Sequence, residues 1–356
     1  MSDVLIVGAG MVGLLSALEL MDRGARVTVV SAADRYPPAS WAGGGILSPL
    51  FAWRYPDAMN RLTADSSSRY RKLVTRLRGR AGLRDDDLND SGLWVAAAGE
   101  EQAQALEWAR RWRFRCQPAL AREHLRDGVQ GEGLWFPDIG NIRNPRVLKA
   151  LHEVLRQQGV VFRDARVEAV IPLASGGGRL ALADGETLSA PQVLIAAGAW
   201  GDRLLEPLGI RPGLFPARGE ILLYRVAPGR VPATILTENG YLIPRADGAL
   251  LVGSTHHRGD DPRPTAADRA RLQTQAARLL PELASQQPQH HWAGVRPGCE
   301  RPWPWLGELP GCRGLYAAAG HYRNGLVAAP SSAELLAQII SGERPTLEPT
   351  DYAFAC

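Results

Sequence analysis

The feature that most constrains the fold is a glycine turn close to the N-terminus. The apolar run Val4–Val7 leads directly into Gly8, Gly10 and Gly13, which stand in the spacing Gly-x-Gly-x-x-Gly. Such a turn joins a strand to a helix whose N-terminal amides face a pyrophosphate. Apolar residues then recur at helical spacing, and residues 26–30 read as a second strand. The sequence therefore predicts a βαβ unit that binds a dinucleotide.

The end of the second strand lacks the acid that usually binds the ribose hydroxyls. In dinucleotide sites an Asp or Glu stands about 20 residues after the turn, whereas this chain has Ser31. The residues alone leave two interpretations open. In the first, Ser31 or Asp34 makes weaker contacts to the nucleotide. In the second, Ser31 and Arg35 make room for a 2′-phosphate, and the ligand is NADP.

Composition limits the class of protein. The 356 residues are enough for two domains. No apolar run reaches the roughly 18 residues that span a bilayer, and the N-terminus lacks the basic segment of a signal peptide, so we expect a cytoplasmic protein. The four cysteines show no metal-binding spacing and are expected to be unpaired. The arginine-rich runs at 69–84 and 110–115 read as helical faces with their own counter-charges, so no nucleic-acid partner is expected.

The order of the predicted elements indicates an α/β protein with two domains. Residues 58–83 read as one helix, and a C-terminal helix is predicted over residues 330–340. Short alternating strands between residues 214 and 305 indicate an inserted, mainly antiparallel domain. We assign residues 1–80, 140–213 and 306–356 to a Rossmann-like nucleotide-binding domain. Residues 81–139 and 214–305 form the predicted substrate domain.

Two further segments point to a ligand. Three consecutive glycines, Gly43 to Gly45, lie in an apolar setting, which favours backbone pressed against a ligand over a surface linker. Arg296 lies between apolar residues and a Pro-Gly turn, an unusual place for a solvated arginine. A guanidinium there suits a carboxylate entering an apolar pocket, where only a charge-assisted contact offsets desolvation. The histidine pairs 256–257 and 290–291 predict no metal site, because neighbours on a strand point to opposite faces.

Five motifs in order carry a resemblance to a known family. They are Val7-Gly8-Ala9-Gly10-Met11-Val12-Gly13, Ser40-Trp41-Ala42-Gly43-Gly44-Gly45-Ile46, Ala197-Gly198-Ala199-Trp200, Trp292-Ala293-Gly294-Val295-Arg296-Pro297-Gly298 and Gly320-His321-Tyr322-Arg323-Asn324-Gly325. Across nearly its whole length the chain resembles the glycine oxidase group of the D-amino-acid oxidase superfamily of FAD-dependent oxidoreductases. That group includes the type associated with thiamin thiazole synthesis.

The resemblance implies non-covalent FAD rather than NADP. It also implies an unusual FAD site, because these proteins usually have an acid where Ser31 stands. The residues that the resemblance places at the cofactor are Gly8, Gly10, Met11, Val12, Gly13, Ser31, Ala42, Gly43, Gly44, Gly45, Ile46, Val167, Ala197, Gly198, Trp200, Gly320, His321, Tyr322, Arg323, Asn324, Gly325 and Leu326.

The resemblance also implies the activity. Tyr241 and Arg296 would bind the substrate carboxylate, Arg323 would be a second clamp or contact the carbonyl end of the flavin, and His256 would line the substrate pocket. The implied reaction is oxidation of glycine or another small amine by hydride transfer to the flavin, with O₂ as acceptor and peroxide as product. The alternatives are a D-amino-acid dehydrogenase that uses another acceptor, and a flavoprotein retained as a binding subunit. The expected partners are a small amino acid and O₂, with no membrane contact, and a homo-oligomer is compatible with the sequence.

Overall fold

The architecture comes from a computed structural model that describes residues 2–32, 38–125 and 127–354. Asp34 and Arg35, invoked above for the ribose end of the nucleotide, lie outside these residues. Within the described residues, no helix is long and apolar enough to cross a membrane. The cytoplasmic location stays a prediction.

The described residues contain runs of consecutive strands as well as strands separated by helices. The strands are β1 Val4–Val7, β2 Val27–Ser31, β3 Leu88–Asn89, β4 Leu93–Ala96, β5 Gln117–Leu120, β6 Glu132–Phe136, β7 Asn141–Ile142, β8 Val161–Asp164, β9 Val167–Pro172, β10 Gly178–Leu182, β11 Thr187–Ala190, β12 Gln192–Ile195, β13 Leu214–Arg225, β14 Thr234–Thr237, β15 Gly240–Pro244, β16 Ala249–Gly253, β17 His257–Arg258, β18 His290–Cys299, β19 Trp305–Glu308 and β20 Leu315–Ala319. The helices are α1 Met11–Asp22, α2 Ala39–Ala42, α3 Asp57–Thr63, α4 Ser66–Leu77, α5 Gly99–Arg111, α6 Ala121–His124, α7 Asn144–Gln157, α8 Asp202–Leu205, α9 Ala266–Leu279 and α10 Gly325–Ile340.

The first sheet has the strand order β19-β20-β12-β1-β2-β8. Its inner pairs are parallel, and β19 adds an antiparallel edge. Helices α1, α7 and α10 share one apolar core with this sheet, which confirms the predicted α/β fold. Because β1 lies between β12 and β2, the strand order reverses there. A crevice opens at the carboxyl ends of strands at such a point, and it is where ligands bind in open α/β sheets.

The second sheet is mainly antiparallel, as predicted. It runs β17-β13-β16-β15-β14-β4-β6-β5, with β18 also paired to β13 and one parallel pair, β14 with β4. The β13–β18 ladder extends from Leu214 opposite Cys299 to Leu223 opposite His290. The sheet as a whole contains strands from both predicted substrate-domain segments, 81–139 and 214–305. The division into domains at those residues stays a prediction.

Two smaller sheets complete the described structure. Strands β9, β10 and β11 form an antiparallel three-stranded sheet, and β3 pairs with β7. Gly176 and Gly177 make the turn that leads from β9 to β10, with φ angles of 92° and 78°. These values explain why the sequence has glycine there.

Residues 58–83 form two helices, α3 and α4, and not the single helix predicted. The break follows Thr63, whose hydroxyl donates to the carbonyl of Met59 at 3.0 Å. Such back-bonding competes with the helix and bends it. Asp65 then pairs with Arg69 of the second helix at 2.6 Å.

The C-terminal helix begins at Gly325, five residues before the predicted start at Pro330. Proline has no N–H to donate to the carbonyl of Leu326, four residues earlier. The hydroxyl of Tyr70 donates to that carbonyl instead, at 2.6 Å. This contact between α4 and α10 lets the proline lie inside the helix.

Candidate active site

A cleft of about 1490 Å³ runs from the carboxyl ends of β1 and β2 to the second sheet. Its volume exceeds the roughly 300–1,000 Å³ of drug-sized ligand pockets, so it has room for a large cofactor and a small substrate. Most of the residues predicted for the site line it, namely Gly8, Gly10, Met11, Val12, Ser31, Ala42, Gly43, Gly44, Gly45, Ile46, Val167, Ala197, Gly198, Trp200, Tyr241, His321, Tyr322, Arg323, Gly325, Leu326 and Arg296.

The glycine turn has the geometry that the sequence predicts. Gly8 has a φ of +110°, and a Cβ on it would lie 2.4 Å from the carbonyl oxygen of Ala196. A Cβ on Gly13 would lie 2.0 Å from the carbonyl oxygen of Gly8, so this glycine allows α1 to pack closely on the turn. At Gly10 the nearest atom is Ser40 Oγ at 3.4 Å, and the backbone is open to the cleft. The N-terminus of α1 therefore faces the cleft and favours an anion there.

Gly13, Gly320 and Asn324 differ from the prediction, because they are not among the residues that line the cleft. Each lies behind the lining and shapes it. Gly320 has a φ of +77°, and a Cβ on it would lie 2.7 Å from Cys299 Cβ. Asn324 is buried and its backbone N–H donates to the carbonyl of His321 at 2.9 Å, which closes the turn that leads into α10.

The triglycine segment lines the cleft, and two causes account for its glycines. A Cβ on Gly44 would lie 2.5 Å from Ile243 Cδ1, and one on Gly45 would lie 2.1 Å from the carbonyl oxygen of Ile142. The backbone carbonyl beside Gly45, together with the φ of +88° at that residue, requires glycine there, whereas at Gly44 the crowding comes from the end of the Ile243 side chain. Gly43 has no such neighbour closer than 3.5 Å. Close packing behind the segment therefore adds to the ligand contact inferred from the sequence.

Arg296 and Tyr241 lie together at the far end of the cleft. Arg296, on β18, donates from Nη2 to Ser254 Oγ at 3.1 Å and from Nη1 to the carbonyl of Thr255 at 3.5 Å. Burial lowers the pKa of Arg296, while Tyr241 acts in the opposite direction. Burial also raises the pKa of Tyr241, which is therefore a neutral hydroxyl donor. Within the described residues, Arg296 has no carboxylate partner at ion-pair distance.

Two glycines make room for this pair, and sequence reasoning missed both. A Cβ on Gly219 would lie 2.0 Å from Nη1 and 2.2 Å from Nη2 of Arg296. A Cβ on Gly253, which lies opposite Tyr241 in the β15–β16 ladder, would lie 2.5 Å from the tyrosine hydroxyl oxygen. Neither glycine stands in a motif, so only the strand register reveals its role.

Arg323 and His256 both lie beside Tyr322. Arg323 lines the cleft but is exposed, with its guanidinium carbon 5.6 Å from the centre of the Tyr322 ring. His256 is exposed and outside the lining, which differs from the prediction that it lines the pocket. Its Nε2 is hydrogen-bonded to the hydroxyl of Tyr322, so its influence on the pocket passes through Tyr322. Burial and nearby arginines lower its pKa.

A buried charged cluster supports the back of the Arg296 pocket, and it too was not predicted. Glu220 is fully buried, pairs with Arg218 at 2.9 Å and is hydrogen-bonded to His291 Nε2 at 2.6 Å. Its backbone N–H donates to the hydroxyl of Thr255 at 3.0 Å. Since the carbonyl of Thr255 accepts from Arg296, the cluster fixes one of the groups that hold the guanidinium.

Comparison with known proteins identifies the family. A protein-family model described as "DAO: FAD dependent oxidoreductase" matches residues 3–339. The chain belongs to this family. It is 40% identical to the glycine oxidase of Pseudomonas aeruginosa over 98% of both chains. The crystal structure of glycine oxidase from Geobacillus kaustophilus matches with a TM-score of 0.92 at 28% identity, covering 99% of this chain and 98% of that one.

A third relative has a different length. The "Bifunctional protein ThiO/ThiG" of Synechocystis is 31% identical over 99% of this chain, which covers 53% of that protein. Members of this family use FAD, so FAD is the cofactor, and the interpretation that Ser31 makes room for NADP is wrong.

The residues present fit FAD. The open backbone at Gly10 and the N-terminus of α1 suit a pyrophosphate. Ser31 and Val167 line the end of the cleft at the edge of the first sheet, where the adenosine would bind. Glu168 lines the same end and is exposed, so a carboxylate is present there although β2 ends in serine.

Proposed function

We propose that this chain oxidises glycine and other small amines, sarcosine and small D-amino acids among them. The balanced reaction for glycine consumes O₂ and water and yields glyoxylate, ammonia and H₂O₂. When bound, FAD would supply the redox chemistry of this reaction, as acceptor of the hydride lost by the substrate carbon and donor of the two electrons to O₂. The 40% identity to a glycine oxidase over nearly the whole chain supports the substrate class.

The observation that carries the proposal is the environment of Arg296. A half-buried guanidinium, bonded only to a hydroxyl and a carbonyl among the described residues, lines a cleft that fits FAD. A substrate carboxylate would offset the desolvation of this cation and could accept two parallel bonds from it. The neutral hydroxyl of Tyr241 would donate a further bond to the same carboxylate.

The chain's own contribution is positioning. The carboxylates among the described lining residues are Glu168 and Asp260, and both are exposed. Burial lowers the pKa of His321 to about 4, and its Nε2 is bonded to Ser332 Oγ at 3.1 Å. A buried carboxylate base is thus not part of the described lining. Holding the carboxylate fixes the substrate carbon, and such orientation accounts for a large share of the rate in reactions of this kind.

We also propose that the product serves thiamin thiazole synthesis. A related protein of Synechocystis, named bifunctional protein ThiO/ThiG, joins a segment like this chain to a further segment of similar length. That arrangement favours a role in which the oxidised amine is passed to a second reaction.

The direct test is product formation under air. The purified holoenzyme should release H₂O₂ in an amount equal to the ammonia formed from glycine, or to the methylamine formed from sarcosine, without any other electron acceptor. A dehydrogenase would instead need an added quinone or dye. A preference of tenfold or more in kcat/KM for a bulky D-amino acid over glycine would refute glycine as the substrate. Membership of the FAD-dependent oxidoreductase family would then be the only part of the assignment to remain.

A further inference from the structure

Residues 40–46, called the glycine loop below, are bound from behind by their carbonyl oxygens. The two hydrogens of Asn144 Nδ2 are donated to the carbonyls of Ser40, Trp41 and Gly43, at N···O distances of 2.5, 2.9 and 3.1 Å, so that one hydrogen is shared between two carbonyls. Asn144 is fully buried at the start of α7. One side-chain amide therefore fixes three peptide groups of the loop.

The three other carbonyls of residues 40–45 are bound in the same way. Arg245 Nη2 donates to the carbonyl of Gly44 at 2.8 Å. Trp292 Nε1 donates to the carbonyl of Ala42, and the backbone N–H of Ile142 to that of Gly45, at 2.9 and 2.8 Å. Six consecutive carbonyl oxygens are thus occupied by protein donors.

The backbone N–H groups at the end of the glycine loop, unlike its carbonyl oxygens, lack hydrogen-bond partners among the described residues. The N–H groups of Trp41, Ala42 and Gly43 close the short helix α2, but those of Gly44, Gly45 and Ile46 have no acceptor among the described residues. All three of these residues line the cleft, and Gly45 and Ile46 are buried. Buried backbone N–H groups without a partner are rare in proteins. Two such groups in succession, at Gly45 and Ile46, beside a third at the half-buried Gly44, indicate a ligand with several acceptor atoms.

We propose that Asn144 and Arg245 are positioning residues that turn the amides of Gly44, Gly45 and Ile46 toward the acceptor atoms of the flavin ring. The ring carries carbonyl oxygens and unprotonated nitrogens, which match a row of N–H donors. Because the carbonyls are held from behind, the loop cannot rotate its amides away when the cofactor is absent. The inference does not depend on which amine is oxidised.

Arg245 is suited to this role. Its side chain is 5% exposed, and its Nη1 donates to Asn141 Oδ1 while Nη2 donates to the loop. It has no carboxylate at ion-pair distance within the described part of the chain. A guanidinium fork can bridge two acceptors in fixed geometry, which a lysine cannot do.

The proposal predicts an effect on the cofactor that a purely structural role would not produce. Two-electron reduction makes the flavin ring more electron-rich, so N–H donors stabilise the reduced form more than the oxidised form. Disordering the loop should therefore weaken binding of both forms, with the larger loss for reduced FAD. A tenfold difference between the two losses corresponds to a midpoint potential lowered by about 30 mV.

The test compares Asn144→Ala with a matched control, Asn60→Ala. Asn60 is also buried, donates from Nδ2 to a backbone carbonyl at 3.0 Å and has an unpaired Oδ1, as Asn144 does, but it lies away from the cleft. The dissociation constant of FAD is measured by titrating apoprotein, and the midpoint potential by equilibration with a reference dye. We expect Asn144→Ala to raise the dissociation constant about tenfold or more and to lower the potential, and Asn60→Ala to change neither.

Arg245→Lys decides the matter if Asn144→Ala does not fold. It keeps the cation but loses the fork, so we expect the same two shifts with smaller size. The proposal is overturned if the folded variants bind FAD with wild-type affinity and potential, or if Asn60→Ala shifts both quantities as much as they do. These measurements use no amine, so a failed glycine assay leaves their outcome unaffected.

Discussion

Replacing Gly219 with alanine should displace Arg296 without removing it. The added Cβ would lie 2.0 Å from Nη1, 2.2 Å from Nη2 and 2.4 Å from Cζ of the guanidinium. Ordinary contact begins near 3.4 Å, so the guanidinium must move by about 1.4 Å. Misplacement of about 1 Å at a positioning group costs roughly 100-fold in rate, or about 2.7 kcal/mol. The FAD site lies elsewhere in the cleft and should keep its cofactor.

The assay is oxygen consumption with glycine, together with the flavin-to-protein absorbance ratio and the thermal midpoint. We expect kcat/KM to fall about 100-fold, with kcat lowered as well as KM raised, because a displaced guanidinium both weakens carboxylate binding and misplaces the substrate carbon. Gly133→Ala is the control, since its Cβ would lie 2.4 Å from the carbonyl oxygen of Val95 in the same sheet. A kcat/KM for Gly219→Ala within threefold of wild type would refute the reasoning, as would an equal loss in a folded Gly133→Ala.

Three other predictions concern the cofactor and pH. Ser31→Glu should lower the dissociation constant of FAD about tenfold or more, since charge-assisted bonds contribute roughly 1.5–3 kcal/mol; an unchanged value in apoprotein titrations would contradict this. Acid precipitation should leave the flavin in the supernatant, whereas colour retained in the pellet would show a covalent bond. Burial lowers the pKa of His321 from 6.5 to about 4, so the unfolded chain takes up a proton that the folded chain does not. Stability should fall as pH drops from 6.5 to 4, and in urea titrations His321→Gln should remove about 3 kcal/mol of that loss.

Local sequence patterns were enough to predict the nucleotide end of the site. The strand, the turn at Gly8 and the start of α1 are adjacent in the chain, so spacing alone fixes their geometry. The same holds for the turn at Gly320 that leads toward α10. At Pro330 the local rule was wrong, because a hydroxyl from α4 replaces the missing donor.

The substrate end depends on contacts between distant segments, which local sequence patterns do not predict. Gly219 was not predicted because its neighbour is Arg296, which comes beside it only through the register of β13 with β18. His256 was placed in the pocket by resemblance, yet its ring nitrogen bonds Tyr322 and its side chain is exposed. Asn144 and Arg245 contact the glycine loop from positions about 100 and 200 residues away, as the sequence separations of 104 and 201 show.

The central claim is that Arg296 binds the carboxylate of a small amine that reduces the flavin. Its most direct test is anaerobic stopped-flow mixing of glycine with wild type and with Arg296→Ala, following loss of flavin absorbance. Wild type should bleach, and the variant, with normal FAD content, should lose roughly 2–5 kcal/mol of transition-state stabilisation, about 30-fold to several thousand-fold in apparent second-order rate. Bleaching of Arg296→Ala by glycine at a near wild-type rate would contradict the account, as would a wild-type flavin that no small amine reduces.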